Sequence, residues 1–195
     1  MLKMPVSTAI LVDSMYLQHV AKEYGIEQID IRRLPKVLLR EAEEHYMTYY
    51  FDALPYVSPS KTPDEMERHS KKKGFITAMQ YAERIRVELG DVRPKWAKCP
   101  KCGTQFYVPV QKLVDVKISV RLVSLACSEK IKKIILVAGD KDLLPAVEVA
   151  RDAGTIIRLA YAEIGHAQTS RDLIKACSEK HKLTEADIAP LKWVP

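Results

Sequence analysis

The chain has no apolar run long enough to cross a bilayer. A spanning helix needs about 18 or more consecutive apolar residues, and the amino-terminal stretch Ala9-Ile10-Leu11-Val12 stops at Asp13. The same early acid breaks any secretory pattern, so a soluble, cytoplasmic protein with no membrane partner is expected. Cysteine is scarce: there are four in 195 residues, two of them in Cys99-Pro100-Lys101-Cys102. In a cytosolic chain that spacing points to metal or redox work before structural disulfides. Glycine is scarce too, and the seven present form no Rossmann or Walker phosphate loop. That makes a receiver-like or nucleotide-binding α/β protein the weakest reading. The five histidines show no metal-ligand spacing, and there is no internal repeat or low-complexity tract.

Charge is present in excess of one sign. The formal net charge is +6 and the pI about 9.0, a balance that favours anionic partners, nucleic acid first. A length of 195 residues fits one domain with a core that needs no disulfide support.

Strand-like and helix-like segments alternate. Thr8 to Val12, Tyr46 to Phe51, Ile134 to Val137 and Thr155 to Ala160 read as strands. Ser14 to Tyr24, a stretch within Asp30 to Glu44 with Pro35 in its first turn, and a long polar segment Pro63 to Glu88 interrupted near Gly74 read as helices. So do Val116 to Glu129, Leu143 to Ala153 ending at Gly154, and Thr169 to Ser178. Leu54 to Pro63 reads as a Pro- and Ser-rich loop, Val92 to Val110 as an excursion of extended pieces, and the tail after Leu183 as loosely ordered. The alternation predicts an α/β fold with a parallel sheet and right-handed crossovers.

The acids fall where such a sheet places its sites. In Val137-Ala138-Gly139-Asp140-Lys141-Asp142 an apolar strand runs into a small-residue turn and then presents two acids. Asp13 ends the first strand, and Asp115 lies in Lys112-Leu113-Val114-Asp115-Val116-Lys117. Open α/β sheets bind ligands at the carboxyl ends of their strands. Several acids gathered there suit a hard divalent cation such as Mg²⁺ or Mn²⁺, which can support phosphodiester hydrolysis. Each acid also has a plainer use: Asp13 and Asp140 can cap helices, and Asp115 can sit in a first helical turn. Asp52 also ends a strand and reads as a turn residue.

These pieces, with Tyr49-Tyr50-Phe51-Asp52, Phe75, Asp140-Lys141-Asp142-Leu143-Leu144-Pro145 and Thr169-Ser170-Arg171-Asp172-Leu173, occur in an order that resembles a known family. That family is the NYN domain of the PIN-like nuclease superfamily, in its LabA-like branch. The resemblance covers nearly the whole chain. It implies a single domain over 1–195, folded as a three-layer α/β/α sandwich around a central parallel sheet. It also implies that Asp13, Asp115, Asp140 and Asp142 form an acidic cluster holding Mg²⁺ or Mn²⁺ for cleavage of RNA. Two positions depart from the family's pattern. Tyr16 stands where an Asn is usual, and Arg121 where a further acid often occurs. Arg cannot ligate a cation, so a non-catalytic RNA-binding or regulatory module is the second reading.

Cys99 and Cys102 read as a zinc knuckle within an insertion at about 92–110. Structural zinc takes four ligands, and only one pair is present. The completion is open: a second chain joined through the same pair as a homodimer, Cys127, Cys177 or a histidine of the same chain, or no metal and two free thiols. Arg68, Lys71, Lys72 and Lys73, then Lys95, Lys98 and Lys101, form a basic stretch with Trp96, Phe106 and Tyr107 among them. Cations that follow phosphates and rings that stack on bases suit single-stranded RNA; a solvated basic face is the plainer alternative.

Overall fold

Alternate residues of the first strand serve two separate cores. The computed structural model describes residues 5–194, so the ends of the expected 1–195 domain lie outside the described residues. Strand β1 (Val6–Asp13) sends Ala9 and Leu11 into one apolar cluster and Ile10 and Val12 into another, on the opposite face. β5 (Lys133–Val137) does the same with Ile134 and Leu136 against Ile135 and Val137. This is the continuous apolar run of a strand covered on both sides.

Helices supply the cover. On one face lie α1 (Ser14–Glu23), α2 (Leu34–Leu38), α3 (Pro63–Gln80) and α7 (Glu185–Ile188). On the other lie α4 (Val114–Ala126), α5 (Leu144–Asp152) and α6 (Arg171–Ala176). The remaining strands are β2 (Glu43–Ala53), β3 (Ile85–Lys98), β4 (Gln105–Lys112), β6 (Ile156–Tyr161) and β9 (Glu179–Lys182), with a two-stranded ribbon of β7 (Glu163–Ile164) and β8 (Ala167–Gln168). The main sheet has the order β4-β3-β2-β1-β5-β6-β9. Every pairing in it is parallel except β3 with β4. From β1 the chain winds outward through β2 and β3, then returns to the other side of β1 for β5, β6 and β9. The switch point therefore lies between the carboxyl ends of β1 and β5, where such sheets open a crevice. Among the described residues no helix is long and apolar enough to cross a membrane.

The sequence expectation differs from the structure in three places and gains detail in a fourth, at 92–110. The helix expected over Asp30 to Glu44 is a 3-10 turn at Ile31–Arg33 followed by α2, and Glu43 already opens β2. Helix propensity at Arg40 to Glu44 is overridden because Glu43 is drawn into a buried ion network. The long helix ends at Gln80, and Ile85 to Glu88 belongs to β3. Gly74 does not interrupt α3; it lies on an exposed side with open space around its Cα. The extended pieces of 92–110 are one hairpin, with Asp91↔Lys112 through Lys98↔Gln105 in register. The tail is ordered as far as Val194: Ile188 and Leu191 are buried, and Trp193 N donates to Gln28 O at 2.9 Å.

Candidate active site

Asp13 is both the last residue of β1 and the N-cap of α1. Its Oδ1 accepts from Met15 N at 2.9 Å and Tyr16 N at 3.3 Å. The residue is half-buried, and the protein crowded around its carboxyl pushes the pKa up to about 6. The two cap bonds oppose that rise, while the charges of Asp115 and Asp52 add to it. Asp115 lies in the first turn of α4, just after Leu113, which adopts a left-handed φ of 69°. Burial, then the charges of Asp140 and Asp142, raise its pKa. Asp140 follows β5 and caps the 3-10 turn Lys141–Leu143, its Oδ1 accepting from Asp142 N at 2.9 Å. Acids from three distant segments thus meet at the switch point near enough to feel each other's charge. They keep clear of a common point: among the described residues no three His, Cys, Asp or Glu side chains stand close enough to share one ion as they lie. Asp13 and Asp140 each spend one oxygen on a cap, which leaves the second oxygen of each carboxylate for a ligand.

Asp52 is the acid that sequence reading undervalued. It is buried on β2, one residue beyond the row that pairs Asp13 with Phe51. Lys72 Nζ of α3 lies 2.5 Å from its Oδ2. That contact is ionic but off the hydrogen-bonding axis, so the buried oxygen lacks a hydrogen-bond donor among the described residues. The signal was available, since Tyr49-Tyr50-Phe51-Asp52 ends a strand just as Leu11-Val12-Asp13 does. Glu88 escapes sequence reading for another reason, because its segment continues the helix-like pattern of the residues before it. It lies on β3 in the same register row as Asp13 and Phe51, two strand spacings or about 10 Å from Asp13.

The two positions that depart from the expected pattern have structural occupations. Arg121 turns to β2 and β3. Its Nε donates to Glu88 Oε1 at 2.8 Å, and its guanidinium carbon sits 4.9 Å from the Tyr49 ring centroid. Tyr16 is buried, its hydroxyl 2.6 Å from Thr169 Oγ1 and accepting from Ala162 N at 2.7 Å. Its ring closes against Gly139: a Cβ at that glycine would stand 2.5 Å from Tyr16 Cε2. Only glycine lets the turn before Asp140 approach that ring.

Beside the acids runs a cleft of about 760 Å³, lined by Ser14, Met15, Gln18, Asp52, Arg68, Lys72, Val92 and Tyr107 among others. Of the expected basic residues only Arg68 and Lys72 line it, four residues apart on one face of α3. Arg68 also pairs with Asp64 at 3.2 Å and Lys71 with Glu67 at 2.6 Å, while Lys73 is exposed. Lys95, Lys98 and Lys101 are exposed on the β3–β4 hairpin, and among the described residues no ion pair involves them. The basic stretch is therefore two separate groups. Trp96 and Tyr107 face each other across the hairpin with ring centroids 3.7 Å apart.

Cys99 and Cys102 occupy the hairpin turn. Cys99 N donates to Thr104 O at 2.9 Å and Gly103 N to Cys99 O at 3.0 Å, with Gly103 at a φ of 73°. The Cys102 thiol is exposed, and hydrogen bonds from Thr104, then the neighbouring Cys99, hold its pKa down to about 7.

The topology, the switch point and the ordered acids are the features a family comparison has to account for. The sequence model of the NYN domain matches residues 7–184. This chain belongs to the NYN domain family. No curated protein matches it. As an NYN domain it carries a PIN-like nuclease fold, and the match begins within β1 and runs past β9, so the acids and the hairpin all lie inside the domain.

Proposed function

We propose that this NYN domain is a metal-dependent ribonuclease, and within the family we assign it to the LabA-like branch on the order of its motifs. What supports the reading is that Asp13, Asp115, Asp140 and Asp142 all lie at the carboxyl edge of the sheet, with Asp13 raised by burial and by the charges of Asp115 and Asp52, and Asp115 by burial and by the charges of Asp140 and Asp142. Such crowding of like charge at a strand-end crevice is relieved by a cation. The donor set is carboxylate oxygen throughout, which suits Mg²⁺ or Mn²⁺. When bound, that ion lowers the pKa of a coordinated water and offsets charge that builds on the phosphate.

The chain's own residues do the rest. Asp13, Asp115, Asp140 and Asp142 would hold the ion through the oxygens not committed to capping. Arg68 and Lys72 would draw the phosphate backbone along the cleft, and Tyr107 offers a ring for a base. Lys72 also stabilises the buried Asp52, so the strand-guiding cation is itself fixed in place.

A second reading rests on specific contacts. Arg121 neutralises Glu88, and Tyr16 fills its pocket as a wedge. Both occupations suit a module that binds RNA and does not cut it. One experiment separates the two. Purified protein is incubated with labelled RNA and Mn²⁺, with and without chelator, beside Asp140→Asn. The nuclease reading expects cleavage that chelator abolishes and that falls by about 10²–10³-fold in the variant. Salt-sensitive binding without metal-dependent turnover would establish the second reading in its place.

A further inference from the structure

The β3–β4 hairpin is more than a sheet edge. β3 pairs with β2 only over Ile85 to Gly90. From Asp91 to Lys98 its only strand partner among the described residues is β4, so eight residues of two-stranded ribbon run on past the carboxyl edge of the sheet. At about 3.3 Å per residue that arm is about 25 Å long. The Cys99–Cys102 turn is its tip.

We propose that the tips of two copies of this chain share one zinc ion, each giving Cys99 and Cys102 to a tetrahedral site of four thiolates. The two cysteines stand three residues apart in one tight turn, where Cys99 N donates to Thr104 O at 2.9 Å and Gly103 N to Cys99 O at 3.0 Å. Thiolate pairs select zinc over hard cations, and structural zinc is closed by four ligands. One turn supplies two. Among the described residues nothing in the same chain supplies the others. Among the described residues no third His, Cys, Asp or Glu joins the pair. Cys177 is buried in the core beneath α6. Cys127 caps the far end of α4, which starts beside Gly90 at the base of the arm and leads back to the start of β5. The α4 axis is about 20 Å long, so Cys127 and the arm tip stand on opposite sides of the carboxyl edge.

The arm's two faces divide the work. Val92, Trp96 and Tyr107 share one face, and Val92 and Tyr107 line the cleft. Residues directly opposite one another share a face, so Ala97 with Phe106, and Lys95 with Val108, lie on the other. Phe106 and Val108 are exposed there, next to the cysteine turn. A second copy docked tip to tip can cover them and leave the cleft face open.

The test does not involve the acids or RNA, so it fails or succeeds independently of the ribonuclease reading. The reduced full-length chain is loaded with Zn²⁺, freed of excess metal, and analysed for zinc content and for mass by light scattering. The expected result is a dimer with about one zinc per two chains that becomes monomeric on chelation. Co²⁺ in place of zinc should give the intense charge-transfer band of a tetrathiolate. Cys102→Ser should lose both zinc and dimer while melting at the temperature of the metal-free wild type, since the tip lies outside both cores, and Cys127→Ser should keep both. A monomer with one zinc per chain would overturn the proposal, as would a reduced protein that binds no zinc or a dimer that survives chelation.

Discussion

The two edges of the central sheet handle carboxylates in opposite ways. At the amino edge Glu43 begins β2, Lys133 begins β5 and Glu179 begins β9, with Arg158 on β6 between them. Arg158 is fully buried and binds Glu43, Glu179 and the carbonyl of Leu38. Lys133 Nζ bridges Glu43 at 2.9 Å and Glu179 at 2.7 Å. Burial alone would raise the Glu43 pKa, but hydrogen bonds from Arg158, the Arg40 NH and Lys133 reverse this and hold it at about 2. At the carboxyl edge Asp13 sits at about 6, among acids. The carboxyl edge pairs Asp52 with Lys72 and Glu88 with Arg121, but among the described residues no ion pair involves Asp13, Asp115, Asp140 or Asp142. That contrast, more than the number of acids, is what singles out these four as the candidate site.

The largest effect is expected at the amino edge. Arg158→Ala removes the cation that Glu43 and Glu179 share and leaves a buried carboxylate short of a partner. A loss of about 3–5 kcal/mol is expected in urea unfolding. A loss below about 1 kcal/mol would mean that the network behaves like a surface pair and that the comparison fails on this side.

The opposite sign is expected at the carboxyl edge. Asp13→Asn removes a carboxylate that the fold holds above its ordinary range and keeps an oxygen for the α1 cap. Stability at pH 7 should rise by about 1–2 kcal/mol, while metal-dependent cleavage is lost. The pH profile carries both signs. Asp13 binds its proton more tightly folded than unfolded, so its destabilising effect is full above about pH 6 and fades as pH falls toward 3.8. Glu43 binds its proton less tightly folded, so its contribution is full above 4.5 and lost as pH falls toward 2. Taken together these two groups favour the fold most at about pH 4–5. Asp13→Asn should gain stability over the wild type progressively between about pH 4 and pH 7 and leave the acid limb unchanged, and metal-free profiles that stay parallel over that range would contradict the assignment.

Much of this was legible before the fold was known, for a physical reason. A strand end followed by a cap is a local pattern, so Asp13, Asp140 and their flanking elements could be read from neighbours in sequence. Asp52 shares that strand-end pattern, but its weight, like that of Glu88, lies in a distant partner. Asp52 matters because Lys72 reaches it from another element, and Glu88 because Arg121 does. The segment Arg40 to Glu44 has strong helix formers, yet a network closed by residues more than a hundred positions away makes it turn and strand. The basic stretch looked continuous in sequence, but α3 and the hairpin divide it. Pairing partners distant along the chain decide these cases, and composition does not encode them.

The smallest effect distinguishes the two basic groups. Lys72 is committed to Asp52, whereas Lys98 on the arm has no ionic partner among the described residues. A free lysine that meets a phosphate releases counterion without first breaking an internal pair. Lys98→Ala should therefore lower RNA affinity by only about 0.5–1 kcal/mol, reduce the slope of log K against log salt by about one, and leave stability unchanged. Lys72→Ala should cost stability as well, because it strands a buried carboxylate. Equal salt slopes for wild type and Lys98→Ala in a filter-binding series would place the arm outside the RNA path, and the path would then be confined to the cleft face of α3.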